Sequence, residues 1–207
     1  MLLPIDIIVY IVILFFSIAV HEVAHAYVAY LRGDDTAKMA GRITLNPIPH
    51  IELLGSIIVP TMLLILKVPV IFGWAKPVPI NYRKLKNPRV DIPLISVAGP
   101  VSNMALSLLS AAGIRLIKKS PNFEFGFGDA IETFLCVMLT MNIILTIVNL
   151  IPVPPLDGSK IITYFLPTKI AAKFLNINSH ICLIILFLLL SSGITLKFIS
   201  YAINFLR

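Results

Sequence analysis

The chain has 207 residues, of which 58% are hydrophobic, and it carries a formal net charge of +7. This apolar share exceeds the value of about 45–50% that is usual for soluble domains, which excludes an ordinary soluble enzyme. The lysines and arginines lie mainly in short loops between apolar runs, so the positive-inside rule explains the charge better than nucleic-acid binding does. We expect a single membrane-embedded domain over residues 1–207.

The first predicted membrane-spanning helix runs from Ile5 to Leu31 and contains the pattern His21-Glu22-Val23-Ala24-His25. Ionisable side chains at membrane depth are costly and indicate a functional site. Histidines at positions i and i+4 project from one helix face, so both rings can bind one zinc ion. Glu22 lies one residue further around the helix, where it can act as the general base towards an attacking water. If the pattern had arisen by chance and had no function, three polar side chains would face lipid without a role, so we favour the zinc site.

The segment that follows mixes polar loops with one short apolar run. The alternation of polar and apolar residues over Arg42–Leu45 is compatible with a short β-strand. Leu53–Phe72 is too short before Lys67, and too interrupted at Pro60, for a full crossing, so it predicts a re-entrant hairpin. The basic loop after it is punctuated by prolines, which argues against a helix.

Three further spans are predicted at Asp91–Lys118, Ala130–Ile151 and Ser179–Phe205, with a short helix over Ser159–Leu166 and then a basic linker. The expected fold is an all-α polytopic membrane protein with four main transmembrane helices, a re-entrant hairpin and short β-strands near the active site. With both termini outside, most lysines and arginines fall in cytoplasmic loops. We therefore expect a prokaryotic plasma-membrane protein whose active site lies towards the cytoplasm.

A catalytic zinc site usually has three protein ligands, so the two histidines need a third. From the residues alone, the candidates are Glu52, Asp157, His50 and His180. Asp157 is favoured by its position, because it follows an uncharged span in a proline-rich break where unwound backbone can line a cavity. The competing interpretation is that Asp157 caps a helix.

Three motifs occur in order along the chain: the histidine pattern at 21–25, then Ala98-Gly99-Pro100-x-x-Asn103, then Asn149-Leu150-Ile151-Pro152-x-Pro154-x-Leu156-Asp157-Gly158. Together they resemble the site-2 protease family of intramembrane zinc metalloproteases, in its compact form without PDZ or CBS domains. The resemblance implies that Asp157 is the third zinc ligand and that Asn149 binds the substrate backbone. Asn103 is a second candidate for hydrogen bonding to substrate.

The stretch Gly73–Ile80 is similar to the edge-strand region of the same family. The resemblance implies that this region pairs with an unwound substrate, which makes Trp74 and Val78 candidate substrate-binding residues. A transmembrane substrate must unwind locally, because the carbonyl groups of an intact helix are hydrogen-bonded and shielded. The roles of His50 and Glu52 remain unassigned by these motifs.

The predicted function is an intramembrane metalloprotease that uses Zn²⁺ to hydrolyse peptide bonds in or near transmembrane segments of membrane proteins. Its expected partners are the lipid bilayer and a transmembrane protein substrate. Two alternatives are a catalytically inactive zinc-binding protein that holds a partner helix, and a zinc or proton transporter. The intact Glu22 disfavours the first, and a single polar cluster without an inverted hydropathy repeat disfavours the second.

Overall fold

Helices account for nearly all the regular structure of residues 4–65, 75–119 and 127–206, which are the part of the chain that the computed structural model describes. The α-helices in chain order are α1 (Pro4–Leu31), α2 (Thr36–Met39), α3 (Val59–Ile65), α4 (Pro88–Lys119), α5 (Phe127–Leu150), α6 (Asp157–Ile162), α7 (Thr168–Leu175), α8 (Ser179–Ser191) and α9 (Ile194–Leu206). A π-helical stretch precedes α3, and the 3₁₀ turns are Ile48–His50, Tyr82–Lys84 and Thr163–Phe165.

Helices α1, α4 and α5 are long and apolar enough to cross a membrane. Each matches a predicted span to within a few residues. The fourth predicted span is instead the pair α8 and α9, bent by 56°, so four crossings result only if this pair counts as one span. Gly193 has a positive φ of 74° at the bend, and the hydroxyl of Ser192 accepts a hydrogen bond from the N–H of Ile194. A glycine turn and a serine cap therefore start a new helix there.

The predicted short β-strands are not found in the described residues. Residues 42–45 form a loop, and residues 75–80 have no regular secondary structure. Trp74 and residues 66–73 lie outside the described residues, so that part of the predicted edge strand is not described.

The predicted interruption at Pro60 is wrong, because the chain is π-helical over Leu53–Ile58 and continues directly into α3. Pro60 is the second residue of α3, directly after the change from π-helical to α-helical geometry, and because proline has no N–H the helix lacks one backbone hydrogen bond there. The remainder of the predicted hairpin, residues 66–72, lies outside the described residues. The predicted basic linker contains a helix, α7, that the sequence prediction missed.

The interior of the bundle contains many polar side chains beside its apolar clusters, and much of its surface is apolar. Asn103, Ser107 and Asn142 are fully buried, whereas Leu109 and Leu116 have 69% and 70% of their surface exposed. Such an inverted distribution is typical of helices that pack through small and polar side chains and face lipid with large aliphatic ones. Helix α4 is central, since it packs against α1, α5 and α6.

A partly buried ion pair links the end of α1 to the start of α4. Arg32, just after α1, donates from its Nε to Oδ1 of Asp91 over 2.6 Å, and Oδ2 of Asp91 accepts from the backbone N–H of Asn87 over 2.7 Å. Asp91 is fully buried in the first turn of α4, where the helix dipole stabilises a carboxylate. The contact sets the register of the two helices that meet at the site described next.

Candidate metal centre

Three ligand atoms from α1 and α6 converge in the buried interior. The Nε2 atoms of His21 and His25 lie 3.0 Å apart, and Oδ2 of Asp157 lies 3.1 Å from the first and 3.0 Å from the second. Around a tetrahedral zinc with bond lengths of about 2.0–2.1 Å, neighbouring ligand atoms lie about 3.3 Å apart. The spacing of the three atoms therefore fits a zinc ion.

The hydrogen bonds on the far side of each histidine ring also favour a cation. Nδ1 of His25 lies 2.7 Å from the carbonyl oxygen of Ile95, which can only accept, so this nitrogen carries the ring proton. Nδ1 of His21 lies 2.6 Å from Oδ1 of Asn103 and donates in the same way. Both Nε2 atoms then present lone pairs to each other and to the carboxylate of Asp157. Three converging acceptors repel one another unless a cation lies among them.

Asp157 reaches the histidines because the chain folds back sharply after α5. A Cβ atom at Gly158 would lie only 2.3 Å from the carbonyl oxygen of Leu150, so the return of the chain requires a glycine there. The carboxylate of Asp157 makes no capping bond to α6, and its Oδ1 accepts from Nζ of Lys160 over 3.4 Å. The competing interpretation of Asp157 as a helix cap is therefore wrong.

Gly99 on α4 lies directly against the rings of His21 and His25. A Cβ atom at this position would lie 2.5 Å from Nε2 of both His21 and His25. No larger residue fits without displacing the rings. The sequence shows only that small residues allow α4 to approach another helix closely; the structure shows that the histidines themselves occupy the space.

Glu22 lines the same cavity as the three ligand residues and is held by one backbone group. The N–H of Val78 donates to Oε2 of Glu22 over 2.9 Å. Pro77 and Pro79 have no N–H, so Val78 supplies the one backbone donor of this tripeptide. Among the described residues, no hydrogen bond is made to the other carboxylate oxygen, Oε1.

The cavity beside these residues has a volume of about 370 Å³. Most of its lining is apolar and comes from α1, α4, α5 and residues 75–80. The polar side chains that reach it besides the ligands include Glu22, Ser96, Asn149 and Lys160. A mostly apolar pocket with a few converging polar groups is typical of a binding site.

Residues 75–81, here called the cavity wall segment, are held by hydrogen bonds to their backbone. Nη2 of Arg42 donates to the carbonyl of Lys76 over 2.7 Å, and the N–H of Asn81 donates to Oδ2 of Asp34 over 2.6 Å. The N–H of Lys76 donates to the carbonyl of His50 over 2.9 Å. Both Arg42 and Asp34 are buried, so the wall segment is anchored from its protein side.

The proposed substrate-binding residues occupy different surroundings. Asn149 lines the cavity, with Nδ2 donating to the carbonyl of Leu145 over 2.9 Å. The side chain of Val78 is buried and packs with Ala26 and Ala37, so its backbone is the part that meets Glu22. Asn103 is fully buried behind His21, an arrangement that argues for positioning the ring and against a contact with substrate.

The remaining candidates for the third ligand are not part of the group. Among the described residues, the group of metal-binding type is His21, His25 and Asp157. His50 is buried in a loop, with Nε2 donating to the carbonyl of Thr44 over 3.0 Å. The side chain of His180 is outside the described part of the structure. Glu52 precedes the π-helical stretch, and its backbone N–H donates to the hydroxyl of Ser56.

Several residues at the site are absent from the sequence-based candidates. Asn142 and Ser17 lie behind Asn103, and Arg42 and Asp34 anchor the cavity wall segment. Asn142 and Ser17 could have been found from the sequence by their helical spacing from the motif residues. Ser17 precedes His21 by one turn on α1, and Asn142 precedes Asn149 by two turns on α5, so each continues a polar stripe in an apolar helix.

Comparison with known proteins gives results in line with this geometry. Residues 114–190, which include Asp157, match the model of peptidase family M50. The chain is 39% identical over 186 residues to "Putative zinc metalloprotease YwhC" of Bacillus subtilis (strain 168), covering 86% of this chain and 78% of that protein. No solved structure matches it significantly.

More distant relatives are two mycobacterial proteins, each named "Putative zinc metalloprotease Rip2". The chain is 28% identical over 142 residues to the protein from Mycolicibacterium smegmatis, and 30% identical over 142 residues to the one from Mycobacterium tuberculosis (strain H37Rv). Each alignment covers 69% of this chain and 51% of the relative, so the chain spans about half of their length. The identity to the Bacillus protein over most of both sequences shows that the chain belongs to peptidase family M50, the site-2 protease family.

Proposed function

We propose that this protein is a zinc-dependent endopeptidase that cleaves membrane proteins in or near their transmembrane segments. The observation that carries the proposal is the convergence of three lone-pair atoms, from His21, His25 and Asp157, beside the carboxylate of Glu22 in a mostly apolar cavity. The names of the bacterial relatives, which contain the words zinc metalloprotease, support the same activity.

His21, His25 and Asp157 would hold the zinc, which would act there as a Lewis acid towards the scissile carbonyl and the attacking water. Glu22 is placed to accept the proton of that water through the oxygen that Val78 does not occupy, and to pass it to the leaving amine. The Val78 N–H fixes the orientation of the base. Asn149, on the cavity surface, is positioned to bind a carbonyl group of the substrate.

The substrate segment is expected to bind in an extended conformation along the cavity wall segment. Among the described residues, no hydrogen bond is made to the carbonyl groups of Val78 and Pro79 or by the N–H of Ile80. Such groups can pair with an added strand. The apolar lining of the cavity suits the side chains of a transmembrane segment.

Cysteine cross-linking tests this binding mode in the Glu22→Gln background, with Cys136 and Cys182 replaced by alanine. We expect Ala75→Cys and Pro77→Cys, both on the cavity lining, to cross-link to a cysteine near the scissile bond of a trapped substrate. Met39→Cys, which is exposed on α2 away from the cavity lining, is the matched control. Co-purification of the substrate without any cross-link from positions 75–80 would contradict pairing along the wall.

The chain is an integral membrane protein, as its family and its three long apolar helices indicate. We further propose that it lies in a prokaryotic plasma membrane with the metal centre towards the cytoplasm, because the basic residues around the wall segment follow the positive-inside rule. Lys84 is exposed next to this segment. Lys84→Cys is tested with an impermeant reagent added outside intact cells, in a protein without Cys136 and Cys182. Labelling of this cysteine would contradict the proposed orientation.

The two alternative functions from the sequence gain no specific support. An inactive zinc-binding protein does not need a base, yet Glu22 is oriented at the metal centre by a dedicated backbone donor. A transporter needs a series of ion sites across the membrane, and the described residues contain one group of metal-binding type, His21, His25 and Asp157. Zinc flux into proteoliposomes that contain the purified protein would favour the transporter.

Metal analysis combined with a proteolysis assay tests the proposed function. Wild-type protein purified in detergent should contain one zinc per chain, and Asp157→Ala should lose it. Glu22→Gln should keep the zinc and lose about 10²–10⁴-fold in cleavage rate, since glutamine still accepts from Val78 but cannot take a proton. Asp129→Asn, an exposed carboxylate at the start of α5, is the control and should retain both properties. Zinc at full occupancy in Asp157→Ala would remove Asp157 from the site.

A further inference from the structure

Two buried asparagines and a serine connect α1, α4 and α5 directly behind His21. Nδ2 of Asn103 donates to Oδ1 of Asn142 over 2.7 Å, and Nδ2 of Asn142 donates to the hydroxyl of Ser17 over 2.9 Å. Nδ2 of Asn142 also donates to the carbonyl of Met138 over 2.8 Å. All three polar side chains are fully buried, where leaving an amide group without a hydrogen-bond partner is strongly unfavourable. The amides are therefore confined to the orientations that satisfy every member.

The direction of this network is set by its last member. The carbonyl of Met138 can only accept, so the group of Asn142 that faces it must be Nδ2. Oδ1 of Asn142 then faces Asn103, which must present its own Nδ2. Oδ1 of Asn103 is left to face Nδ1 of His21, which must carry the ring proton. The lone pair of His21 consequently lies on Nε2, the atom next to His25 and Asp157.

We propose that Asn142 is a positioning residue that acts through Asn103 to hold His21 in the tautomer able to bind the metal. The inference builds on the metal site of the proposed function, but it concerns which ring nitrogen carries the proton. His25 reaches the same state through the backbone carbonyl of Ile95, which no substitution removes. His21 depends on Asn103, whose Nδ2 donates over 2.7 Å to Oδ1 of Asn142 and only over 3.4 Å to the carbonyl of Ser17. Partners that fix the ring of a metal-binding histidine commonly contribute 10–100-fold, as an order of magnitude, to metal affinity.

Because His21 and His25 are held by different kinds of partner, substitutions at position 142 should affect His21 alone. Without the amide of Asn142, Nδ2 of Asn103 keeps only its long contact of 3.4 Å with the carbonyl of Ser17, so Asn103 can turn over and present Nδ2 to His21. The ring proton would then move to Nε2, where it would block the metal. Asn142→Leu should cause this change. Asn142→Asp should not, because its carboxyl group still accepts from Asn103 and, when protonated, still donates to the carbonyl of Met138.

The test measures the tautomer and the zinc affinity separately. Protein with ¹⁵N-labelled histidine, freed of metal and reconstituted in lipid, is studied by solid-state NMR at a pH where the ring is neutral; His21→Gln assigns the signal. We expect one Nδ1-protonated form of His21 in the wild type and in Asn142→Asp, and a mixed population in Asn142→Leu. Zinc affinity, measured with a competing chelator, should fall about tenfold in Asn142→Leu and recover in Asn142→Asp.

A matched control distinguishes positioning from general stabilisation. Thr146 lies one turn further along α5, is equally buried, and donates to the carbonyls of Asn142 and Pro100. Thr146→Val should lower stability without changing the His21 tautomer or the zinc affinity. Where Asn142→Leu does not fold, Asn142→Ala replaces it. A single Nδ1-protonated form and wild-type affinity in the variant without the amide would overturn the inference. Failure of the wild type to bind zinc would instead overturn the proposed function.

Discussion

Two of the three ligands of the candidate metal centre lie on a long helix, whereas the cavity wall segment beside it has no regular secondary structure. His21 and His25 lie on a 28-residue helix, and Gly99 lies on a 32-residue one. The wall segment is instead held by side-chain hydrogen bonds to its backbone from Arg42 and Asp34. Helices fix ligand atoms to a fraction of an ångström, while a segment without regular secondary structure leaves backbone groups free for a substrate. Among the described residues, one hydrogen bond joins the two parts, from the N–H of Val78 to Glu22, and the side chain of Val78 also packs against Ala26 of α1.

The largest expected effect concerns the packing of the metal centre. Gly99→Ala should lower zinc affinity by about 100-fold or more, which exceeds the usual effect of losing an outer hydrogen-bond partner. The physical reason is that the added methyl group would lie 2.5 Å from both Nε2 atoms and must displace the rings. Zinc competition with a chelator on purified protein measures the change.

Gly113→Ala, on the same helix, is the matched control for this substitution. Its Cβ atom would meet only the flexible end of Leu135, at 3.0 Å, so the neighbour can move. Alanine also has a higher helix propensity than glycine, by about 1 kcal/mol. Zinc affinity should therefore remain unchanged in Gly113→Ala. Equal losses in the two variants would mean that the effect at Gly99 is a general consequence of helix packing.

The contrast also explains how much the sequence can predict. His21, Glu22 and His25 follow from helix periodicity, because their relative positions depend only on the local helix. Its position in the sequence favours Asp157 over Glu52 and His50 as the third ligand, and the resemblance implies the same role. Its actual placement depends on a reversal of the chain after α5 and on Gly158, whose tight contact has no local signal.

The wall segment illustrates what local patterns cannot show. Ala75–Ile80 was expected to be part of an edge strand, but its backbone groups bind Arg42, His50 and Glu22 in place of another strand. These partners are 26 or more residues away in sequence, so no local rule reveals them. Likewise, the bend between α8 and α9 is hidden in an uncharged run whose only local signal is Ser192-Gly193.

The next largest effect is expected at the hydrogen bond that joins the two parts. Val78→Pro removes the N–H that orients Glu22 while leaving the metal ligands untouched. We expect kcat to fall about tenfold, less than the 10²–10⁴-fold typical of losing the base itself, with zinc content unchanged. Val78→Ala keeps the N–H but loses the same buried side-chain packing, and it should retain most of the activity. Equal kcat values for the two variants would show that the N–H does not matter.

A smaller effect is expected where the wall segment is anchored. Arg42→Met removes the hydrogen bonds to the carbonyl groups of Lys76 and Pro77 but keeps an apolar side chain of similar length. Hydrogen bonds from charged groups contribute about 1.5–3 kcal/mol, so amide hydrogens of the wall segment should exchange about 10–100-fold faster. Zinc content should not change. Hydrogen exchange with mass spectrometry measures this, with the exposed Arg83→Met as the control. If the exchange rates of the wall segment did not change in Arg42→Met, Arg42 would not be what anchors this segment.

The smallest effect concerns an exposed ion pair between the loop after α1 and the turn after the wall segment. Nζ of Lys84 lies 2.5 Å from Oδ1 of Asp35, and both side chains are nearly half exposed. The hydrogen bond and charge of Lys84 hold the pKa of Asp35 below its usual range, and the hydrogen bond to Asp35 raises the pKa of Lys84. Because both groups are exposed, water and salt screen the attraction.

The directions of these two pKa shifts determine how the contribution depends on pH. The pKa of Asp35 is lowered by folding, so its contribution is present above the unfolded value of about 3.9 and is lost as the pH falls further. The pKa of Lys84 is raised, so its contribution is present below about 10.4 and is lost above the folded value. Asp35→Asn should therefore lower the unfolding temperature by less than about 2 °C at pH 7, and by nothing near pH 2. A difference that persists at pH 2, or that 0.5 M salt does not reduce, would show that the carboxylate acts through packing and not through its charge.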